Sequence, residues 1–414
     1  MSRYLDLLRL PNARALLITS FPARIAYGML GLAVFFKVER ETGSVAAAGL
    51  AIGAFSLSQS VTAGIRGTVI DRFGQKWPLR ILTPTYCLMV LYFNTLTDRN
   101  SLLIFAMVMG LSSPPINLSV RPLWKIAVKP DQLRTAYALD TSVMNIATVF
   151  GPVIATTISL SRFPDLALNS VGILILIGGV SLSFTRIARE SIPEPREVGG
   201  IPLWKNKGMQ LLMIEGIFIG FGWGAFDVGV PAFATLEKIP GWTGPILGAM
   251  GVAAVIGGLY AGMISKRTSA LKGLIINYVL WAIFTAPLAL TYPGWSMLIV
   301  GVFLGACGGA LQVFYWEVLE AVRPQGMAVA SLGWLWTVEG TFMALGAAVG
   351  GVVASEYSPR ATLAITSISI AIGCAIILIG KGALKAADRI PTTEEDLLAM
   401  KNIGHVEQAA PNKF

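Results

Sequence analysis

The sequence predicts an all-α integral membrane protein with twelve transmembrane helices in two pseudo-symmetric six-helix halves. Three observations carry this reading. Of 414 residues, 54% are hydrophobic and 13% charged, about half the charged share of a soluble protein, and the mean hydropathy is +0.67. The apolar residues gather into twelve runs, each near the ~20 residues that a ~30 Å hydrocarbon core asks of a helix. Small residues of the first six runs recur in the second six at a constant spacing of 195. Such a composition excludes a soluble enzyme, a disordered chain and a nucleic-acid binder.

Spans 1 to 6 fall at 14–36, 46–65, 80–97, 101–121, 136–160 and 166–186, and spans 7 to 12 at 208–234, 244–264, 272–291, 295–316, 328–354 and 361–380. Arg24 interrupts span 1 and no small-residue cleavage site follows it, so it reads as a retained span and not a signal peptide. Residues 1–186 form the first half. Residues 187–207, with Pro193, Pro195, Gly199 and Gly200, read as a linker to the second half, 208–380. The polar tail 381–414 holds one short helix candidate, opened by a Thr392/Glu395 capping box before Leu397 and Leu398. Cys87, Cys307 and Cys374 lie far apart in apolar runs and His405 is the one histidine, so neither a disulfide framework nor a metal site is expected.

The basic residues orient the spans. With the N-terminus inside, 25 of the 32 lysines and arginines fall in the connections and termini on the cytoplasmic side, and six outside: Lys37, Arg40, Arg99, Arg162, Lys238 and Arg360. Arg24 stands alone within a span. This positive-inside pattern accounts for the net charge of +9 without a nucleic-acid partner. It predicts a multi-pass protein of a bacterial inner membrane with both termini cytoplasmic.

The duplication is read from pairs 195 apart: Gly49, Gly53, Ala54 and Gly67 match Gly244, Gly248, Ala249 and Gly262; Ser101, Ile104 and Gly110 match Ser296, Ile299 and Gly305; Gly151 matches Gly346. Parallel six-helix repeats joined by a cytoplasmic linker are an architecture of secondary transporters.

Between spans 2 and 3 stands Gly67-Thr68-Val69-Ile70-Asp71-Arg72-Phe73-Gly74-Gln75-Lys76. This resembles the cytoplasmic signature loop of the major facilitator superfamily, and the resemblance extends over nearly the whole chain. Independently of it, Gly67 permits close helix approach, Gly74 a tight turn, and Asp71 suits the partial positive charge of a helix N-terminus. The resemblance implies that this terminus belongs to span 11 and that the contact latches the outward-facing state. Arg72, Lys76 and Arg80 can pair with acids or lipid phosphates. Gln75 replaces the family's usual arginine. The second copy, Gly262 to Arg267, lacks the aspartate. Phe150-Gly151-Pro152 resembles the end of a motif of drug/proton antiporters, without its upstream glycines, and the arginine usual in the family's span 4 is missing near Ala106.

An ionisable group inside a span costs at least ~2.5–3.5 kcal/mol at mid-membrane and needs a reason. Arg24 in span 1, Glu215 and Asp227 in span 7 and Glu339 in span 11 stand out. Asp227 and Glu339 are the proton-coupling candidates: an acid in a cavity that opens alternately to each side can load a proton from one and release it to the other. Glu215, near Lys205 and Lys207, reads as an inner-surface charge, and Asp140 as an inner-rim residue able to pair with Arg121. Arg24 could hold one of the intramembrane acids or a substrate anion. Further cavity candidates are Tyr27, Gln59, Asn117, Asn145, Trp223, Gln312 and Trp336. Gln59 shares a face of span 2 with Ser56 and Ser60, Asn117 one of span 4 with Ser113, and Asn145 one of span 5 with Thr141 and Thr148; Asn117 and Gln312 are again 195 apart. Interhelical hydrogen bonding is the structural alternative for such groups. Phe226 and Trp334 lie close to the charges in sequence.

The expectation is therefore a secondary transporter, working as a monomer in the lipid bilayer, that moves a small organic molecule by alternating access. Export driven by a proton gradient, with no other cofactor, comes first. Proton-coupled uptake of a sugar, nucleoside or organic acid comes second, and a non-transporting scaffold on the same fold third. No nucleotide-binding Gly-x-x-x-x-Gly-Lys-Ser/Thr loop occurs, and no clustered nucleophile suggests a membrane enzyme.

Overall fold

The computed structural model describes residues 2–191, 201–264 and 268–389. The centre of the linker, Lys266 and Arg267, and the Thr392/Glu395 capping box lie outside the described residues. A short helix, α1 (Ser2–Arg9), precedes the first half. That half comprises α2 (Pro11–Thr42), α3 (Val45–Phe73), α4 (Lys76–Thr95), α5 (Arg99–Ser112), α6 (Ile116–Ala127), α7 (Leu133–Ser159) and α8 (Leu166–Phe184). After the short α9 (Arg186–Glu190) come α10 (Lys207–Leu236), α11 (Thr243–Met263), α12 (Ala270–Thr285), α13 (Trp295–Val322), α14 (Ala328–Glu356) and α15 (Pro359–Gly380). Span 4 is thus two helices, α5 and α6, and no strand occurs among the described residues.

With α5 and α6 taken together as one stretch, eleven described helical segments are long and apolar enough to cross a membrane. The twelfth span is α4, whose first turns carry Lys76 and Arg80. Large apolar side chains such as Ile18, Ile81, Leu88, Ile104 and Ile379 stand exposed on the bundle's surface, as a hydrocarbon solvent requires. Local chemistry sets several ends. Ser44, Asp98, Ser269 and Ser358 accept backbone N–H groups at the starts of α3, α5, α12 and α15, and Gly43, in the left-handed region, closes α2. The backbone N–H and hydroxyl of Ser101 hold the Asp98 carboxyl below its usual range.

The duplication is visible as packing. In the first half α2 packs on α7 and α8, and α3 on α5; in the second, α10 packs on α14 and α15, and α11 on α13. Across the halves α3 meets α14 and α7 meets α11, again an equivalent pair. One contact repeats atom for atom. A Cβ on Gly110 would lie 2.3 Å from the Phe55 carbonyl oxygen, and one on Gly305 2.1 Å from that of Met250; both partners are 195 apart. Only glycine lets these backbones approach so closely. Gly305→Ala should force α11 and α13 apart at about 1–3 kcal/mol, the usual cost of overpacking. A lowered Tm of the purified protein checks this, and an unchanged one would show the approach to be optional.

The second half also extends further than the sequence suggests. Residues Lys381–Ala387 form a 3₁₀ helix that buries Leu384 and Ala387 on one side, as their three-residue spacing allows. Ser269 donates a 2.7 Å hydrogen bond to Asp388 just beyond it. This stretch is packed structure and not the start of a loose tail.

Candidate functional site

The two halves are joined at the face that carries the signature loop and most of the basic residues. Asp71, at the end of α3, accepts backbone hydrogen bonds from Val329 at 2.9 Å and Ala330 at 2.7 Å, at the N-terminus of α14. Gly67 allows this: a Cβ there would lie 2.5 Å from the Val329 carbonyl oxygen. Arg134 of α7 pairs with Glu317 of α13 at 2.8 Å, and Lys125 of α6 with Glu320 at 2.6 Å. Thr135 donates to Gly262 and Arg3 to Met263. Gly74, with φ +72°, turns the signature loop. Arg72 stacks near Phe73 and Lys76 near Trp77.

Towards the opposite face the halves separate. Among the described residues, hydrogen bonds and ion pairs between them run no further than Ser142 with Val255 and Ser60 with Thr337, at the middle of the helices. Beyond that level Gly49 and Gly53, and their repeats Gly244 and Gly248, would meet nothing within 4 Å if given a Cβ.

Above the closed face lies a cavity of ≈ 680 Å³ between α7 and the second half. Glu215, Ile219, Trp223 and Asp227 line it as an i+4 row on α10, a ridge along one helix side. Asn145 enters from α7, Trp281 from α12, Gln312, Tyr315 and Trp316 from α13, and Trp336 and Glu339 from α14. At 1.5 Å per residue the row from Glu215 to Asp227 spans about 18 Å. Glu339 sits between them, because its backbone packs against Gly220. The cavity therefore carries three carboxyl groups at successive depths, and among the described residues no lysine or arginine lines it. Asp227 and Glu339 make no hydrogen bond or ion pair among the described residues. Glu215, 3% exposed, accepts hydrogen bonds from the hydroxyls of Tyr278 and Tyr315.

Several expected residues stand elsewhere. Arg24 does not reach the cavity or any of its acids. It is 3% exposed and paired with Asp140, donating also to the Asp140 carbonyl at 2.9 Å. Trp124 donates to the same carboxylate at 2.9 Å, and Arg121 lies 3.7 Å from it while stacking on Trp316, 3.6 Å from the ring centre. Asp140 is thus a buried hub and not a rim residue. Tyr27, Gln59 and Asn117 are also absent from the cavity. The break at Ser113-Pro114-Pro115 separates α5 from α6 and frees backbone carbonyls, which need partners inside a membrane. Tyr27 donates to the Pro114 carbonyl, Arg66 to those of Ser113 and Gln59, and Gln59 to the Ser113 hydroxyl at 2.9 Å. Asn117 is next to this break with an unpartnered Oδ1. Arg66, counted from the sequence with the cytoplasmic loop, lies within α3, because the helix runs on to Phe73. Phe226 is buried in the second half's core, and Trp334 covers Gly64 across the interface.

Glu215 is the cavity residue that sequence reasoning set aside. Its signal was the i+4 row shared with Trp223 and Asp227; nearness in sequence to Lys205 and Lys207 hid it, although both lysines are exposed.

The sequence matches the Major Facilitator Superfamily over residues 16–334. No curated protein matches it. Among solved structures it is similar to the human organic anion transporter MFSD10 (TETRAN), with a TM-score of 0.71 and 12% identity over 89% of this chain and 99% of that one. It is similar also to a bacterial homologue of the iron transporter ferroportin in its outward-facing state. With soaked iron the TM-score is 0.71 at 13% identity, over 89% of this chain and 99% of that one. Without it the TM-score is 0.70 at 13% identity, over 90% and 100%. At these identities the likeness is one of fold.

Proposed function

Given that the chain belongs to the Major Facilitator Superfamily, we propose that it is a secondary active transporter that exports a small organic molecule by alternating access in exchange for protons. The observation that carries the reading is a midplane cavity whose acids Asp227 and Glu339 have no partner among the described residues, closed on the basic face by the Asp71 latch and the Arg134–Glu317 pair. A carboxyl group held in a cavity without a counter-charge is a costly feature with a use when it carries protons. The positive-inside pattern supports placing the latched face in the cytoplasm of a bacterial inner membrane, with the cavity then facing outward. A monomer suffices, since one chain builds the whole cavity.

The test is flux in proteoliposomes, with cationic, neutral and anionic compounds, with and without a pH gradient. Gradient-driven flux should fall tenfold or more in Asp227→Asn or Glu339→Gln, while substrate exchange without a gradient persists, because exchange needs only the loaded conformational cycle. Wild-type pH dependence in both variants would remove the coupling assignment and favour a uniporter. Flux accelerated by a gradient of the opposite sign would make it a symporter.

A further inference from the structure

Resting on that transporter reading, we propose that the cavity takes a hydrophobic organic cation, with Glu339 and Asp227 as its counter-charges. The charge balance of the lining points this way. Among the described residues, Glu215, Glu339 and Asp227 are its charged groups, and all are acids. The nearest basic groups of the first half stay outside the lining. Arg24 and Arg121 lie with Asp140, Arg121 touching the cavity wall only by stacking on Trp316, and Arg66 caps the carbonyls of Ser113 and Gln59. Nothing in the described protein neutralises Asp227 or Glu339, and neither is fully buried, so both carboxyl groups are open to a proton or to a ligand cation. Both binding the same carboxyl groups is the elementary condition for exchanging one against the other.

The walls select the kind of cation. The ring centres of Trp223 and Trp281 lie 5.9 Å apart, and Trp336, 43% exposed, lines the same cavity from α14. Indole faces attract cations, most strongly where water is excluded. The volume of ≈ 680 Å³ lies within the range for drug-sized ligands. A bare metal ion is a poor match: among the described residues no group of three His, Cys, Asp or Glu is placed to hold one, and the acids are spread along about 18 Å of helix. An organic anion would bring its charge to three carboxyl groups with no lysine or arginine among the described lining residues.

The experiment is equilibrium binding to the full-length protein in lipid nanodiscs. Tetraphenylphosphonium is the probe, tetraphenylborate the anion of the same shape, and empty discs correct for partition into lipid. Saturable binding of the phosphonium is expected, competed by acid, and weakened tenfold or more in Glu339→Gln and in Asp227→Asn at unchanged Tm. Glu339→Asp should retain part of the affinity, and the borate should not bind. The proposal is overturned if folded protein binds neither ion, binds both equally, or binds the phosphonium as well in both acid variants as in wild type. Binding requires no transport cycle, so the two readings fail separately. Gradient-driven flux of a neutral or anionic compound without phosphonium binding leaves a transporter and removes the cation. Saturable phosphonium binding with no flux of any compound leaves the cation site and removes the transporter.

Discussion

Asp71→Asn is expected to open the basic face. The carboxylate accepts two backbone N–H groups at the start of α14, at 2.9 and 2.7 Å, where the helix dipole adds to the attraction. Asparagine offers one carbonyl oxygen and no charge, so one bond is lost and the other becomes neutral. Hydrogen bonds to charged groups contribute about 1.5–3 kcal/mol each, and a loss of that size moves a two-state equilibrium by about tenfold or more. Ser142→Cys is a suitable reporter. Its side chain is 3% exposed and packs at the junction of α7 with α11, below the cavity. Labelling of this cysteine from the basic face should accelerate about tenfold in the Asp71→Asn background. Equal labelling rates, at matched protein levels, would show that the loop is no latch and that Arg134–Glu317 and Lys125–Glu320 close the face without it.

The largest stability effect is expected at Asp140. Its carboxylate serves Arg24, Arg121 and Trp124 at once, and the three charged residues are 2–7% exposed. Asp140→Asn leaves two buried guanidinium groups without a counter-charge. Breaking a buried pair by removing one member costs about 3–5 kcal/mol, enough to deprive a marginally stable protein of most of its folded yield. Arg24→Gln combined with Asp140→Asn should recover part of the loss, because an unpaired buried charge is worse than none. Thermal unfolding of the three variants in detergent measures this. If Asp140→Asn unfolds at the wild-type temperature, the ion cluster is dispensable. A double variant that is less stable than Asp140→Asn would show that Arg24 contributes through its contact with the Asp140 carbonyl rather than through charge.

The sequence by itself determined what depends on composition and on spacing along one chain. Apolar runs of membrane-spanning length can satisfy their backbone groups in lipid only as helices, so the number of spans and their helical type followed directly. The offset of 195 residues fixed the two-fold design, and the Gly110–Phe55 and Gly305–Met250 approaches are that offset expressed in contact. Asp71 was legible because its loop has a recognisable pattern, and Asp227 and Glu339 because a charge in an apolar run is conspicuous. Only the tertiary structure decided which charges meet. Arg24 finds Asp140, 116 residues away, and not an acid of the second half. Tyr27 and Arg66 turn to the free carbonyls of the broken fourth span and Gln59 to its Ser113 hydroxyl, the nearer needs. Glu215 turns into the cavity beneath two tyrosines that arrive from α12 and α13. A helix sequence gives the angle at which a side chain leaves its own axis; it does not say what stands opposite. In a medium that offers no water to satisfy a misplaced polar group, the opposing helix decides whether a residue becomes a structural bond or part of a binding site.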